Sequence, residues 1–203
     1  MIMENKTGQQ YWDQLYQSRE TRWDIGYPSP PLKEYIDQLK DKQQSILIPG
    51  CGNSYEAGYL LDKGFTNLTL IDISPSLTSS LEKKFKQYLG KQLQIITGDF
   101  FEQKGKYDLM LEQTFFCALP PSSRSAYVQQ VYELLKPGGK LIGVLFNRLF
   151  EDPGPPFGGT VEEYKELFKE RFLIEKMELC YNSIEKRAGN EVFIKLIRTP
   201  VTD

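Results

Sequence analysis

The stretch Leu47-Ile48-Pro49-Gly50-Cys51-Gly52-Asn53-Ser54 closes an apolar run with two glycines around a cysteine. Three readings suit it: a loop that cradles a nucleotide-like ligand, a redox or metal-binding cysteine, or a plain tight turn. The flanking segments narrow the choice. SILIP (45–49) has the length and composition of a buried strand, and SYEAGYLLDKG (54–64) that of a helix closed by Gly64. The rhythm then repeats. LTLID (68–72) is a strand, SPSLTSSLEKKFKQYLG (74–90) a helix with a serine cap and proline just inside, and LQIIT (93–97) a strand. YDLMLEQ (107–113) and KLIGVLF (140–146) are strands on either side of the helix SSRSAYVQQVYELLK (122–136), which Pro137-Gly138-Gly139 stops. After a helix at 161–172, the strands 173–182 and 191–198 close the chain around the turn KRAGN.

Strands alternating with helices predict an open, mostly parallel, seven-stranded α/β sheet with helices on both faces. Near-continuous apolar strands suit burial on both sides. A parallel crossover needs a dozen or more residues, so the short turn between the last two strands makes that pair antiparallel. Before this core, TGQQYWDQLYQ (7–17) suits a short helix with Thr7 as cap, TRWDIGYPSPP is a proline-stiffened loop, and 31–40 is helical. The chain therefore divides, within one domain spanning 1–203, into an N-terminal helical lid (1–42) and an α/β core (43–203). EDPGPPFGG (151–159) has the composition of a loop at the edge of an active site.

Composition excludes several function classes. The net charge of −2 offers no basic excess to hold a nucleic-acid backbone. The start MIMENKTGQQYW lacks the features of a secretory signal, and no run approaches the roughly 20 apolar residues of a membrane span. A cytoplasmic monomer with a small-molecule substrate, and no nucleic-acid or membrane partner, is expected. Cys51, Cys117 and Cys180 are widely spaced and odd in number, against a disulfide framework. No histidine is present, which removes His-based general-base catalysis, Ser-His-Asp triads and the commonest zinc sets. Cys51 has no metal-ligating partners in view, and no metal is expected.

The opening stretch thus lies at the carboxyl end of the first sheet strand, where such sheets bind ligands. Gly50 and Gly52 let a backbone approach a ligand closely. Asp72 ends the second strand, 22 residues after Gly50, where an acid bonds ribose hydroxyls; capping the next helix is its alternative use. Nicotinamide cofactors and S-adenosylmethionine both suit this pair. TGDFF (97–101) and LLKPGGKLIGV (134–144) separate them, because an acid after the third strand can accept from an adenine amino group.

This four-part order resembles class I S-adenosylmethionine-dependent methyltransferases. W-D-x-x-Y, T-R-W-D-I-G-x-P-S-P-P-L, I-P-G-C-G, D-I-S, G-D-F-F, T-F-F-C-A-L-P-P-x-x-R-x-x-Y and L-L-K-P-G-G together resemble the thiopurine S-methyltransferase family, in its thiol and halide methyltransferase branch, from about residue 11 to 193. The resemblance implies S-adenosyl-L-methionine as cofactor and S-adenosyl-L-homocysteine as its product. It implies that Trp12, Tyr16 and Trp23 cover the cofactor, that Gly50 meets its methionine part and Asp72 its ribose, that Asp99 and Phe100 meet its adenine, that Gly52 belongs to the same binding loop, and that Gln113 lies beside it. Tyr16 stands where the family usually has Trp, and Gln113 where some relatives have Tyr or Arg. Trp12 and Tyr16, four apart on one helix face, would equally serve as core; aromatic faces also suit a sulfonium cation.

Arg124 matches the family's arginine after Leu-Pro-Pro and is implied to act beside the substrate. Its alternative is a solvated residue of the helix's first turn, a place where the dipole disfavours a cation. Phe115, Phe116 and Cys117 are candidate pocket walls or core, and Arg187 is a further candidate for the substrate pocket. Pro120-Pro121 lacks the neighbouring carboxamide or carboxylate that methylation of base amino groups requires. The expected reaction is methyl transfer to a small soft nucleophile: a thiol or thiolate, a thiopurine, a halide or thiocyanate. A tellurium or selenium oxyanion is the alternative acceptor. A dehydrogenase and a non-catalytic cofactor-binding module are the readings from other classes; Pro49-Gly50-Cys51-Gly52 and the closing hairpin argue against the first.

Overall fold

The computed structural model describes residues 7–200; the first six positions of the expected lid and the last three of the chain lie outside the described residues. Within them one seven-stranded sheet has the order β3-β2-β1-β4-β5-β7-β6. The strands are β1 (Ile46–Pro49), β2 (Leu68–Asp72), β3 (Leu93–Thr97), β4 (Tyr107–Gln113), β5 (Leu135–Phe146), β6 (Phe172–Leu179) and β7 (Glu191–Arg198). The first five pair in parallel; β7 runs antiparallel to β6, as the short connection between them requires, and also to β5.

Both faces of the sheet are covered. β1 and β2 are buried at every position, so they read as unbroken apolar runs. Successive side chains still go to opposite sides: Leu47 and Met110 join one hydrophobic cluster, while Ile46, Ile48, Leu109 and Leu111 join the other. The first cluster takes in α5 (Arg124–Leu134) and α6 (Val161–Phe168). The second takes in α2 (Pro30–Asp37), α3 (Tyr55–Asp62) and α4 (Pro75–Lys84).

α2 corrects part of the expected lid. Leu32 and Ile36 are fully buried in the second cluster, and burying each such side chain stabilises by about 1.5–3 kcal/mol. This helix belongs to the core. α1 (Gln9–Ser18) differs: none of its residues is fully buried. Its N-cap is Gly8, not Thr7. It docks on the start of α4 through Asp13, whose carboxylate accepts from Ser74 Oγ at 2.6 Å and Ser76 N at 2.9 Å, and from the Ser76 hydroxyl. These bonds hold the Asp13 carboxyl below its ordinary range, and a carboxylate at a helix N-terminus is favoured by the dipole.

Two boundaries also differ. The helix expected over 74–90 ends at Lys84 and continues only as a 3₁₀ turn, Lys86–Tyr88. β5 begins before Pro137-Gly138-Gly139 rather than after it. Tyr107 pairs with Leu135 and Leu109 with Lys140, so residues 136–139 bulge out of the ladder. Gly138 takes φ +76°, and a Cβ on Gly139 would lie 2.8 Å from Lys136 O. The Pro-Gly-Gly turn is therefore made inside the strand.

Candidate active site

The order of strands reverses between β1 and β4, and a cleft of about 1090 Å³ opens beyond their carboxyl ends. Pockets for drug-sized ligands run from about 300 to 1,000 Å³, so there is room for a nucleoside cofactor and a small acceptor together. Trp12, Tyr16, Trp23, Gly50, Gly52, Asp72, Asp99, Phe100, Gln113, Phe115, Cys117 and Arg187 all line it. Among the expected site residues, Phe116 and Arg124 are not part of its lining.

The floor at the β1 end is the Gly50–Gly52 loop. Gly50 takes φ +51°, a region that L-residues enter at a cost. A Cβ there would lie 2.1 Å from the Phe115 ring, so only glycine lets the ring rest on this loop. Gly52 also takes φ +51°, and a Cβ on it would lie 3.5 Å from the Tyr16 hydroxyl. The loop's backbone is tied to β2: Cys51 N donates to Ile71 O at 3.2 Å and Gly52 N to Asp72 Oδ2 at 3.3 Å.

Asp72 also accepts from Ser74 N at 3.0 Å. The cap of α4 is Ser74, whose Oγ accepts from Leu77 N, so Asp72 is not needed for that purpose. Burial is the main influence on the Asp72 carboxyl and pushes it up to about 6, against the hydrogen bonds that favour its charge. Two ribose hydroxyls donating to it would favour the ionised form. Asp99 is exposed and caps the 3₁₀ turn Phe100–Glu102 through Oδ1, which accepts from Phe101 N at 2.9 Å. Phe100 packs edge-on against Phe115, centroids 5.2 Å apart.

Across the cleft, Trp12 and Trp23 meet edge to face at 5.4 Å and Tyr16 and Trp23 at 5.7 Å. These rings are half-buried and line the cleft, and Tyr16 also packs against the second hydrophobic cluster. Two buried polar atoms at the cleft have no hydrogen-bond partner, Ser54 Oγ and Gln113 Oε1. Buried polar atoms left unpaired are costly. The Gln113 acceptor, the aromatic cradle and the open approach over Gly50 fit the ammonium, sulfonium and carbon chain of S-adenosylmethionine.

The sequence profile of the family described as thiopurine S-methyltransferase matches residues 7–199. The chain belongs to the thiopurine S-methyltransferase family. Among its curated relatives, a probable thiol methyltransferase 2 of Arabidopsis thaliana is 31% identical over 170 residues, 82% of this chain and 74% of that protein. Thiocyanate methyltransferase 1 of Brassica oleracea is 30% identical over 187 residues, 89% of this chain and 81% of its own. Among solved structures, the 1,6-didemethyltoxoflavin-N1-methyltransferase of Burkholderia thailandensis with bound S-adenosylhomocysteine superposes with a TM-score of 0.74 at 17% identity, covering 95% of this chain and 87% of that one. That likeness is one of fold. Family membership makes the chain an S-adenosylmethionine-dependent methyltransferase.

Arg124 sits away from the cleft wall. It donates to Gly158 O at 2.6 Å, and its guanidinium lies 5.1 Å from the Phe116 ring centre and 5.7 Å from that of Tyr164. Cys117 O in turn accepts from Phe157 N at 2.6 Å. The 151–159 loop is thus pinned to the segment after β4, and Pro155 and Pro156 of that loop line the cleft. Arg187 does reach the cleft. It pairs with Glu191 at 3.4 Å and donates to Trp23 O at 2.9 Å, joining the β6–β7 connection to the N-terminal segment.

Three residues of the site carry little signal in the sequence. Asp13 holds α1 in place, but its serine partners lie 61 and 63 positions away. Ser54 is masked by its role at the start of α3. Glu112 is fully buried at the end of β4, and the only local sign of it is an acid inside the apolar run LMLEQ.

Proposed function

We propose that the acceptor is a small soft nucleophile, a thiol or thiolate, with thiopurines, halides and thiocyanate in the same chemical class. The observation that carries this reading is a cleft whose acceptor half is walled by Phe115, Cys117, Phe146 and the 151–159 loop, with Arg187 at its edge. Amines and alcohols shed a proton on methylation and call for a positioned base. A thiolate or halide does not. The names of the relatives, thiol and thiocyanate methyltransferase, agree with this choice.

When bound, S-adenosylmethionine would supply an electrophilic methyl on a sulfonium, with S-adenosylhomocysteine as the leaving product. The protein's part is positioning and exclusion of water. Trp12, Tyr16 and Trp23 would roof the cofactor, Asp72, Asp99, Phe100 and Gln113 would fix its orientation, and the Gly50–Gly52 loop would let it approach the sheet. Arg187 favours an anionic acceptor. Arg124 works one step back, holding the 151–159 loop against the Phe116 segment.

We further propose a cytoplasmic monomer. Three free cysteines, all buried, suit a reducing compartment, and no described helix is long and apolar enough to cross a membrane. Calorimetry should show binding of S-adenosylhomocysteine and none of NAD. Turnover should then favour thiophenol over phenol and aniline, which share its skeleton. Equal rates with all three would refute the soft-nucleophile reading.

A further inference from the structure

Glu112 stands out among the groups that the proposed chemistry leaves unused. Its side chain is fully buried, and no ion pair among the described residues neutralises it. An unpaired buried carboxylate is costly unless hydrogen bonds hold it. Here they do. One oxygen, Oε1, accepts from Phe115 N at 2.8 Å and from Phe116 N at 2.9 Å, and Oε2 accepts from Tyr127 OH at 2.8 Å. β5 makes room for it: a Cβ on Gly143 would lie 2.4 Å from Glu112 Cβ and 2.5 Å from Glu112 O.

The two amides that Glu112 holds belong to the turn that leaves β4. Thr114, at φ +60°, is one of three non-glycine residues among those described that take a positive φ, so this turn is strained and needs outside support. The turn aims the Phe115 ring at Gly50 and packs it against Phe100 and Tyr127. Phe115 thereby touches the loop expected under the cofactor's methionine part and the residue expected at its adenine, and it lines the acceptor's half as well. Cys117, two residues on, holds the 151–159 loop through Phe157.

We infer that Glu112 is a positioning residue for methyl transfer: its Oε1, by accepting from the Phe115 and Phe116 amides, fixes the turn after β4 and holds the Phe115 ring as the common wall between cofactor and acceptor. This rests on the methyltransferase reading of the cleft. The need is for an acceptor atom rather than a charge. A glutamine presents Oε1 to the same two amides, and its Nε2 can donate to a rotated Tyr127 hydroxyl. A leucine of similar size leaves both amides unpaired.

The test uses the full chain as wild type, Glu112→Gln, Glu112→Leu and Phe115→Ala. Rates are measured with S-adenosylmethionine and whichever of thiophenol, iodide and thiocyanate the wild type uses best, and S-adenosylhomocysteine affinity by calorimetry. Glu112→Gln should keep kcat within about threefold of wild type. Glu112→Leu should lower kcat at least tenfold while calorimetry still finds one S-adenosylhomocysteine bound per chain, a stoichiometry that loss of folded protein would lower. Phe115→Ala, which leaves Glu112 in place, should lower kcat similarly and stands in if the leucine variant does not fold. Wild-type turnover in Glu112→Leu or Phe115→Ala overturns the inference. So does a loss in Glu112→Gln as large as in Glu112→Leu, because charge would then be what matters. Failure of the wild type itself to bind S-adenosylhomocysteine would instead remove the functional reading, and this inference with it.

Discussion

Replacing Gly50 with alanine tests the floor of the site through two separable costs. The first is conformational: at φ +51° an L-residue costs about 1–2 kcal/mol relative to glycine. The second is steric. The new methyl would lie 2.1 Å from Phe115 Cδ2 and 2.6 Å from Cγ, and overpacking of a well-filled site costs typically about 1–3 kcal/mol. Together they lower stability by about 2–5 kcal/mol. In a chain of this length each kcal/mol shifts Tm by about 2–4 °C, so Gly50→Ala should melt about 4–20 °C below wild type. The two costs separate in a double-mutant cycle. Phe115→Ala removes the ring, so in its background Gly50→Ala should cost only the conformational part. Calorimetric melting of the four proteins measures this. If Gly50→Ala costs the same with and without the Phe115 ring, the ring does not rest on the loop and the described floor is wrong.

The remaining predictions concern charge, the α1 segment and the two arginines. With its carboxyl at about 6, Asp72 is mostly protonated at pH 5, so a cofactor that needs the ionised form should bind about tenfold more weakly there than at pH 7.5, and Asp72→Asn should flatten this dependence in calorimetry with S-adenosylhomocysteine. In the ligand-free protein the sign is opposite: the folded state holds the proton more tightly than the unfolded one, so stability from this group falls as pH rises from about 4 to 6. Amides of α1 should exchange faster than those of β1 and β4 without ligand and slow on adding S-adenosylhomocysteine, and Asp13→Ala should speed them further; protection equal to that of the strands would make α1 part of the core. Arg187→Met should lower kcat/KM by about tenfold more for thiocyanate than for a neutral thiol, whereas Arg124→Met should reduce both alike, since it acts through Gly158 and not through the cleft.

The sheet is legible in the sequence because its determinants are local. Apolar runs of strand length, helices with caps and glycine stops, and a hairpin too short for a crossover leave few topologies open. The place of the cleft is legible for the same reason, since Gly50, Asp72 and Asp99, which line it, follow or end successive strands and parallel strands bring their ends together. The features that escape a reading of the chain depend on partners distant in sequence. Leu32 and Ile36 look like one face of any amphipathic helix until the sheet buries them. Arg124 at the start of α5 suits a substrate contact as well as it suits Gly158 O, and only tertiary packing chooses. Pro137-Gly138-Gly139 reads as a turn before a strand because the ladder partner at Tyr107 is not visible in sequence.

The central claim is methyl transfer to a soft nucleophile, and one measurement meets it directly. The protein is incubated with S-adenosylmethionine carrying a trideuterated methyl group, together with thiophenol, iodide and thiocyanate, and the products are read by mass spectrometry. The predicted result is a trideuteromethyl thioether, iodide or thiocyanate, formed in step with an equal amount of S-adenosylhomocysteine. Bound cofactor with no labelled product from any of the three acceptors would contradict the claim.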